Sequence, residues 1–303
     1  MNWFYPETPE EAAALLKDRR GLLVAGATDI LPNMRNRNLS GGFPVPGLRG
    51  YDAYIDISSI AALKQIEVSG ELLKIGSAVT HSRLALDPLI ISHAPLLAAA
   101  AGVVGSPQVR NRGTLGGNII TLASCADTVP ALAVHDGRLN FYRAGGGFRD
   151  VAVKDYLDDP SSRRMEGEEL LVDVHIPLSR SGGWCYHFEK IARREAAAKS
   201  RMSLACGLEI SGGLITGARI ALGAVTSAPR RFVRAEALLT GQKPEAPLFA
   251  AAGEDLAAEI QELSGMHSSF IYKLPVIKDL LVRIFLELTS GAAGKTRVKV
   301  TKE

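Results

Sequence analysis

Little in this sequence is concentrated enough to declare a function. It holds only three cysteines, Cys125, Cys185 and Cys206, far apart and without a C-x-x-C pair, and none of its six histidines lies four residues from another. That spacing argues against a structural zinc site or an iron–sulfur cluster within the chain. It favours three reduced thiols in a cytosolic protein. Aromatic residues make up 6%, and 35 basic against 32 acidic residues leave a net charge of +3. The dibasic pairs Arg19-Arg20, Arg163-Arg164, Arg193-Arg194 and Arg230-Arg231 are scattered, so no nucleic-acid footprint forms. The segment Met1–Glu7 has neither a basic nor an apolar region and is not a signal peptide. The most apolar later stretch, Leu248–Ile260, is broken by Glu254 and Asp255 and falls far short of the roughly 20 residues a membrane span needs. There is no internal repeat, no G-x-S-x-G elbow, no H-E-x-x-H and no evident catalytic pair of carboxylates, so hydrolase and zinc-protease readings lack support. Gly291-Ala292-Ala293-Gly294-Lys295-Thr296 imitates a phosphate-binding loop, but Thr289 stands where its first glycine should be, and it follows a helix.

What is present is an ordinary globular composition, 47% hydrophobic and 22% charged, over 303 residues. That length implies about two domains with no need of disulfide or metal staples. Thr8-Pro9-Glu10-Glu11 opens a helix with an N-cap, a proline in the first turn and a capping box. Leu22–Val24 and Tyr54–Ile57 read as strands, and Asn38–Gly50 as a loop. Gln65–Val68 and Leu72–Ile75 form a hairpin across Ser69-Gly70. Helices are expected over His81–Leu86, capped by Thr80, and over Pro95–Ala101, followed by a long Gly/Asn/Arg loop. Leu139–Arg143 and Phe148–Val153 form a second hairpin, and Leu170–Ile176 a strand. Ser181-Gly182-Gly183 marks a domain boundary. Beyond it come strands over Tyr186–Ile191, Leu204–Ile210 and Ala218–Val225. Amphipathic helices follow over Phe232–Leu239, Pro247–Leu263 and Val276–Leu288, with the last stripe packed on its own sheet. Residues 295–303 read as a charged, mobile tail.

Two small-residue loops carry the chemistry. Ala25-Gly26-Ala27-Thr28-Asp29-Ile30 follows a strand directly. Thr114-Leu115-Gly116-Gly117-Asn118-Ile119-Ile120-Thr121 precedes Ser124 and Asp127. Glycines let backbone N–H groups converge on an anion and let a diphosphate approach closely. Thr28, Thr114 and Thr121 could add hydroxyl donors, and Asp127 could accept from a ribityl or ribose hydroxyl. Either loop alone is a weak signal and reads more readily as a tight turn. Both together suggest a shared diphosphate site.

These loops resemble those of a known family, the FAD-binding (medium) subunits of molybdenum hydroxylases, whose relatives include xanthine dehydrogenase and carbon monoxide dehydrogenase. Ala25-Gly26-Ala27-Thr28-Asp29 is similar to its A-G-G-T-D loop. Gly113–Thr121 with Asp127-Thr128-Val129-Pro130-Ala131-Leu132 is similar to its second loop. Glu168-Glu169-Leu170-Leu171 before Ile176-Pro177, then Phe188-Glu189-Lys190 and Arg193-Arg194-Glu195, continue the likeness in order, which runs to about Thr289. The resemblance implies an α+β chain. A two-subdomain FAD-binding domain of the vanillyl-alcohol-oxidase-like type would span residues 1–180, with subdomains of about 1–57 and 58–180. A smaller α+β C-terminal domain would span 184–290, with the charged tail at 291–303.

It further implies FAD as cofactor. Ala25, Gly26, Ala27, Thr28, Asp29 and Ile30 would hold the diphosphate from one side, and Thr114, Gly116, Gly117 and Asn118 from the other. Ile120 and Thr121 would lie near the flavin ring or ribityl chain, and Asp127 by the ribityl or diphosphate. Leu171 and Lys190 would lie beside the adenine half. Electrons would arrive from 2Fe–2S clusters on a small partner subunit, fed by a molybdopterin-binding large subunit, and leave to NAD or another acceptor. The setting would be cytoplasmic. Three departures stand out. Ala27 replaces a glycine, a modest change if φ there is negative. Ala196-Ala197-Ala198 stands where the family often has an Asp, which bears on direct reaction with NAD. The Asn38–Gly50 loop is longer than usual. Cys125 alone cannot hold the extra cluster some relatives carry near the second loop. A scaffold with a decayed flavin site and a stand-alone flavin oxidoreductase remain as alternatives.

Overall fold

The computed structural model describes residues 2–36, 51–159, 168–178, 183–194, 199–265, 267–290 and 296–302. The Asn38–Gly50 loop, the boundary at Ser181-Gly182 and the alanines 196–198 lie outside the described residues.

The chain begins with β1 (Asn2–Phe4), α1 (Pro9–Asp18), β2 (Gly21–Val24), α2 (Ile30–Asn36) and β3 (Ala53–Asp56), which form a parallel sheet of order β1-β3-β2. The Thr8 side chain accepts the Glu11 N–H at 3.1 Å as expected. The Glu11 carboxylate returns one residue further, to the N–H of Glu7 at 2.8 Å.

Next come β4 (Ile66–Ser69), β5 (Leu72–Gly76), α3 (His81–Leu86), α4 (Pro88–His93), α5 (Pro95–Gly102), α6 (Pro107–Arg112), α7 (Leu115–Thr121) and α8 (Thr128–Val134). They are followed by β6 (Arg138–Arg143), β7 (Gly147–Ala152), α9 (Val153–Asp158) and β8 (Glu169–Pro177). The five strands form an antiparallel sheet of order β4-β5-β8-β6-β7. The long loop expected after residue 101 is in fact two short helices. Ser106 and Thr114 cap them by accepting the N–H groups of Val109 and Gly117, which gives a glycine-rich segment a helical first turn.

The last region holds β9 (Trp184–Ala192), β10 (Ser200–Ser211), β11 (Leu214–Gly223), β12 (Arg230–Arg231), α10 (Val233–Leu239), α11 (Ala246–Ser264), α12 (Phe270–Ser290) and β13 (Thr296–Lys302). Its sheet order is β12-β11-β10-β9-β13, antiparallel except that β13 runs parallel to β9. The tail expected to be mobile is therefore corrected over 296–302, which pairs with β9 from Tyr186 to Ala192. Helix α12 starts at Phe270, six residues before the expected Val276, and runs through Pro275. Proline lacks the N–H that would reach the carbonyl of Ile271. Ile271 is 84% exposed, so water can serve that carbonyl instead.

The third sheet is covered on both faces, which explains why β9 is buried almost throughout. Tyr186 and Phe188 join the core containing Leu96, Leu97 and Leu132 of α5 and α8. Cys185 and Ile191, on the opposite face, join Ile277, Leu281 and Phe285 of α12. Each of these large apolar side chains, when fully buried, contributes about 1.5–3 kcal/mol. The sheet is thus clamped between the helices of the preceding region and those that follow it.

Candidate flavin site

The two small-residue loops meet backbone to backbone. A Cβ on Gly26 would fall 2.0 Å from the carbonyl oxygen of Arg112, an impossible distance, so only glycine allows this approach. A Cβ on Gly113 would lie 3.3 Å from Oγ1 of Thr28. The second loop is stitched to the turn after β5. His81 N–H donates to the Gly113 carbonyl at 3.0 Å, Leu115 N–H to Val79 at 2.9 Å and Gly116 N–H to Ser77 at 2.8 Å. Gly116 has no room for a side chain either, since its Cβ would sit 2.7 Å from Cβ of Ser77. Behind this turn the Ser77 N–H donates to the carbonyl of Val172, beside Leu171, so β8 supports the loop from the core.

In the first loop, among the described residues, the backbone N–H groups of residues 26–30 have no hydrogen-bond partner. Thr28 and Asp29 are exposed, and Asp29 accepts from the Asn33 amide at 3.1 Å. Ala27 adopts φ of +58°, so the condition under which its change from glycine would be modest is not met. On the other side Gly117, Ile120 and Thr121 are exposed, while Thr114 and Gly116 are buried. Leu122, at the end of α7, is also left-handed, with φ of +44°.

The Asn118 side chain accepts from Thr128 Oγ1 at 2.6 Å, which ties α7 to the residue after Asp127. Asp127 and Lys190, 63 positions apart, are brought together and are only 3% exposed. Lys190 Nζ donates to Asp127 Oδ2 and to the carbonyl of Val103, both at 2.8 Å. The other oxygen of Asp127 accepts from Ser200 Oγ at 2.5 Å. Leu171 is buried opposite Phe141, in the core rather than on the rim. Two buried groups behind the second loop, Ser77 Oγ and His81 Nδ1, lack partners. Burial, aided by the charge of Arg110, lowers the pKa of His81 to about 4 and keeps it neutral. The sequence reading missed Ser77, His81, Val103 and Ser200. Only Ser200, a hydroxyl closely following the Arg193-Arg194-Glu195 motif, carried a local signal.

Two small α+β units followed by a helix-backed sheet, with two glycine-bearing loops in backbone contact, suit the close approach of a nucleotide cofactor's diphosphate. The domain family described as FAD binding domain in molybdopterin dehydrogenase matches residues 1–179, and the CO dehydrogenase flavoprotein C-terminal domain matches residues 186–288. The chain belongs to this family of FAD-binding flavoprotein subunits of molybdopterin dehydrogenases, and is an oxidoreductase subunit. It is similar to the putative xanthine dehydrogenase FAD-binding subunit of Escherichia coli strain K12, with 28% identity over 95% of this chain and 96% of the relative. The nicotine 6-hydroxylase medium subunit of Paenarthrobacter nicotinovorans is 28% identical over 93% of this chain and 95% of its own length. A solved structure of carbon monoxide dehydrogenase from Hydrogenophaga pseudoflava superposes with a TM-score of 0.84 at 25% identity, covering 96% of this chain and 97% of that one.

The residues present fit FAD. A diphosphate needs converging N–H donors and close backbone approach, and residues 26–30 offer unpaired donors beside a wall that tolerates only glycine. No helix among the described residues is long and apolar enough to cross a membrane.

Proposed function

We propose that this chain is the FAD-carrying electron-transfer subunit of a molybdenum hydroxylase. It receives electrons from 2Fe–2S clusters on a small subunit, fed from a molybdopterin-binding large subunit, and passes them to NAD or another acceptor. The observation that carries the reading is the backbone contact of Gly26 with Arg112, which lets two loops address one phosphate group. FAD, when bound, takes up electrons one at a time and releases them in pairs, so the protein's work is placement and tuning.

Residues 25–30 offer N–H groups to the diphosphate from one side. Thr114, Gly116, Gly117 and Asn118 form the other side. Since the Gly116 N–H is already engaged by Ser77, its contribution is the missing side chain. Ile120 and Thr121 stand exposed where the ring or ribityl chain would lie. Asp127 and Lys190 neutralise each other and fix the depth of the site toward the ribityl and adenine portions, with Leu171 in the supporting core. The names of the relatives, a medium subunit and FAD-binding subunits, support a multi-subunit assembly of this kind.

Titrating the purified chain with FAD, followed by quenching of flavin fluorescence, tests the reading. Saturable binding is expected, and its loss in Gly116→Val. A chain that takes up no FAD would overturn the proposal and favour a scaffold. Co-purification with a large and a small subunit distinguishes an electron-transfer subunit from a stand-alone oxidoreductase.

A further inference from the structure

We propose that Ser200 is a positioning residue of the flavin site, its hydroxyl fixing the Asp127 carboxylate in the orientation the site requires. This rests on the reading that Asp127 borders FAD. The first support is strand register. On β9 the residues facing the FAD-binding region are Tyr186, Phe188, Lys190 and, by alternation, Ala192. On β10, Ser203 pairs with Lys190 and Met202 with Ile191, so unbroken alternation would put residue 201 opposite Ala192 and turn Ser200 toward the α12 side. The register shifts between Ser200 and Met202, and Ser200 itself pairs with Ala192. A bulge of one residue therefore turns Ser200 onto the Lys190 face, as bulges do when they re-aim a side chain.

The second support is what the hydroxyl meets there. Its oxygen lies 2.5 Å from Asp127 Oδ1, while Lys190 Nζ lies 2.8 Å from Oδ2, so the two carboxylate oxygens are held from adjacent strands. A carboxylate fixed at one oxygen can still rotate about its bond to Cβ; fixed at both, it cannot. Ser200 is 8% exposed, so no water replaces its hydroxyl easily. The bond is charge-assisted, and such bonds are roughly twice as strong as neutral ones.

FAD affinity of the full chain, measured by fluorescence titration, tests the role in a double-substitution cycle. Ser200→Ala is expected to weaken FAD binding about tenfold, and Ser200→Thr, which keeps the hydroxyl, to restore it to within about twofold. In an Asp127→Asn background, which removes the charge, Ser200→Ala should cost about twofold at most, because the hydroxyl acts through that carboxylate. Should Ser200→Ala fail to fold, Ser200→Cys keeps the size with a weaker donor, and about a threefold loss is expected. Undiminished affinity in the alanine variant (or in the cysteine variant in its place), or losses that simply add in the double variant, would overturn the role of Ser200. Undiminished affinity in Asp127→Asn would overturn instead the placement of Asp127 at the cofactor, and the role of Ser200 with it.

Discussion

Single residues in this chain carry strain and burial that can be read out directly. Ala27 holds a left-handed backbone in the first loop, with φ of +58°. For a residue with a Cβ that conformation costs roughly 1–2 kcal/mol, partly offset by the lower chain entropy of alanine when unfolded. Ala27→Gly should therefore stabilise the protein by about 0.5–1 kcal/mol, measured as a higher urea midpoint; a lower midpoint would contradict the backbone assignment. His135 makes a second case. Burial first, then the positive charge of Arg219, lowers its pKa from 6.5 to about 3. Its Nε2 accepts the Leu96 N–H at 3.2 Å, so the ring must stay neutral in the fold. Between pH 6.5 and 3 the unfolded chain binds a proton here that the folded chain does not, so stability falls as pH drops through that window. His81, held at about 4, acts in the same direction. Each contributes a slope of up to about 1.4 kcal/mol per pH unit. His135→Gln should flatten the loss seen by urea unfolding between pH 6.5 and 4.5, and an unaltered slope would exclude the histidine as its source.

At the scale of elements, the hairpins, strands and amphipathic helices of the sequence reading reappear, because local periodicity and turn residues dictate them. The 113–121 segment is different. Its glycines read as loop, yet Thr114 caps a helix there, since the first turn tolerates glycine when its N–H groups are otherwise engaged. Helix α8, wholly buried, has no polar face to give it a period and went unread. The approach of Gly26 to Arg112 and the bulge at Ser200 are long-range consequences of packing and have no local signature. The charged C-terminal strand is the clearest departure. It is held by a buried carboxylate: Glu189, 1% exposed, accepts from Thr301 Oγ1 at 2.7 Å and from His187 and Arg283. Burial would raise the pKa of Glu189, but these hydrogen bonds and the charge of Arg283 prevail and lower it to about 2. Thr301→Val should cost about 1–3 kcal/mol by leaving one buried carboxylate oxygen short of a donor. Carboxypeptidase should then trim the C-terminus of the variant faster than that of the native chain. Equal trimming rates would mean that Thr301 does not hold β13 in place.

Across the whole molecule, the Asp127 cluster depends on how the third sheet sits against the region before it, because Lys190 and Ser200 reach Asp127 only through that junction. Apolar packing of Tyr186 and Phe188 on α5 and α8 brings the two together without specifying their alignment. Polar contacts supply it. Arg219 pairs with Asp136, donates to the Val134 carbonyl at 2.9 Å and stacks on Trp184 at 4.3 Å. Arg231 reaches the other oxygen of Asp136 at 2.6 Å, and Arg230 reaches Asp158 at 2.9 Å. Asp136 is 39% exposed in its side chain, so screening limits the strength of its pairs, whereas the bond to Val134 anchors the end of α8 itself. Arg219→Met keeps the bulk beside Trp184 and removes both polar anchors, so a loss of about 1–2 kcal/mol in denaturant stability is expected. If alignment across the junction governs the flavin site, the same variant should weaken FAD binding although the partners of Arg219, namely Asp136, Val134 and Trp184, lie outside the two loops. Weakened stability with undiminished FAD affinity would show that the Asp127, Lys190 and Ser200 contacts align the site by themselves.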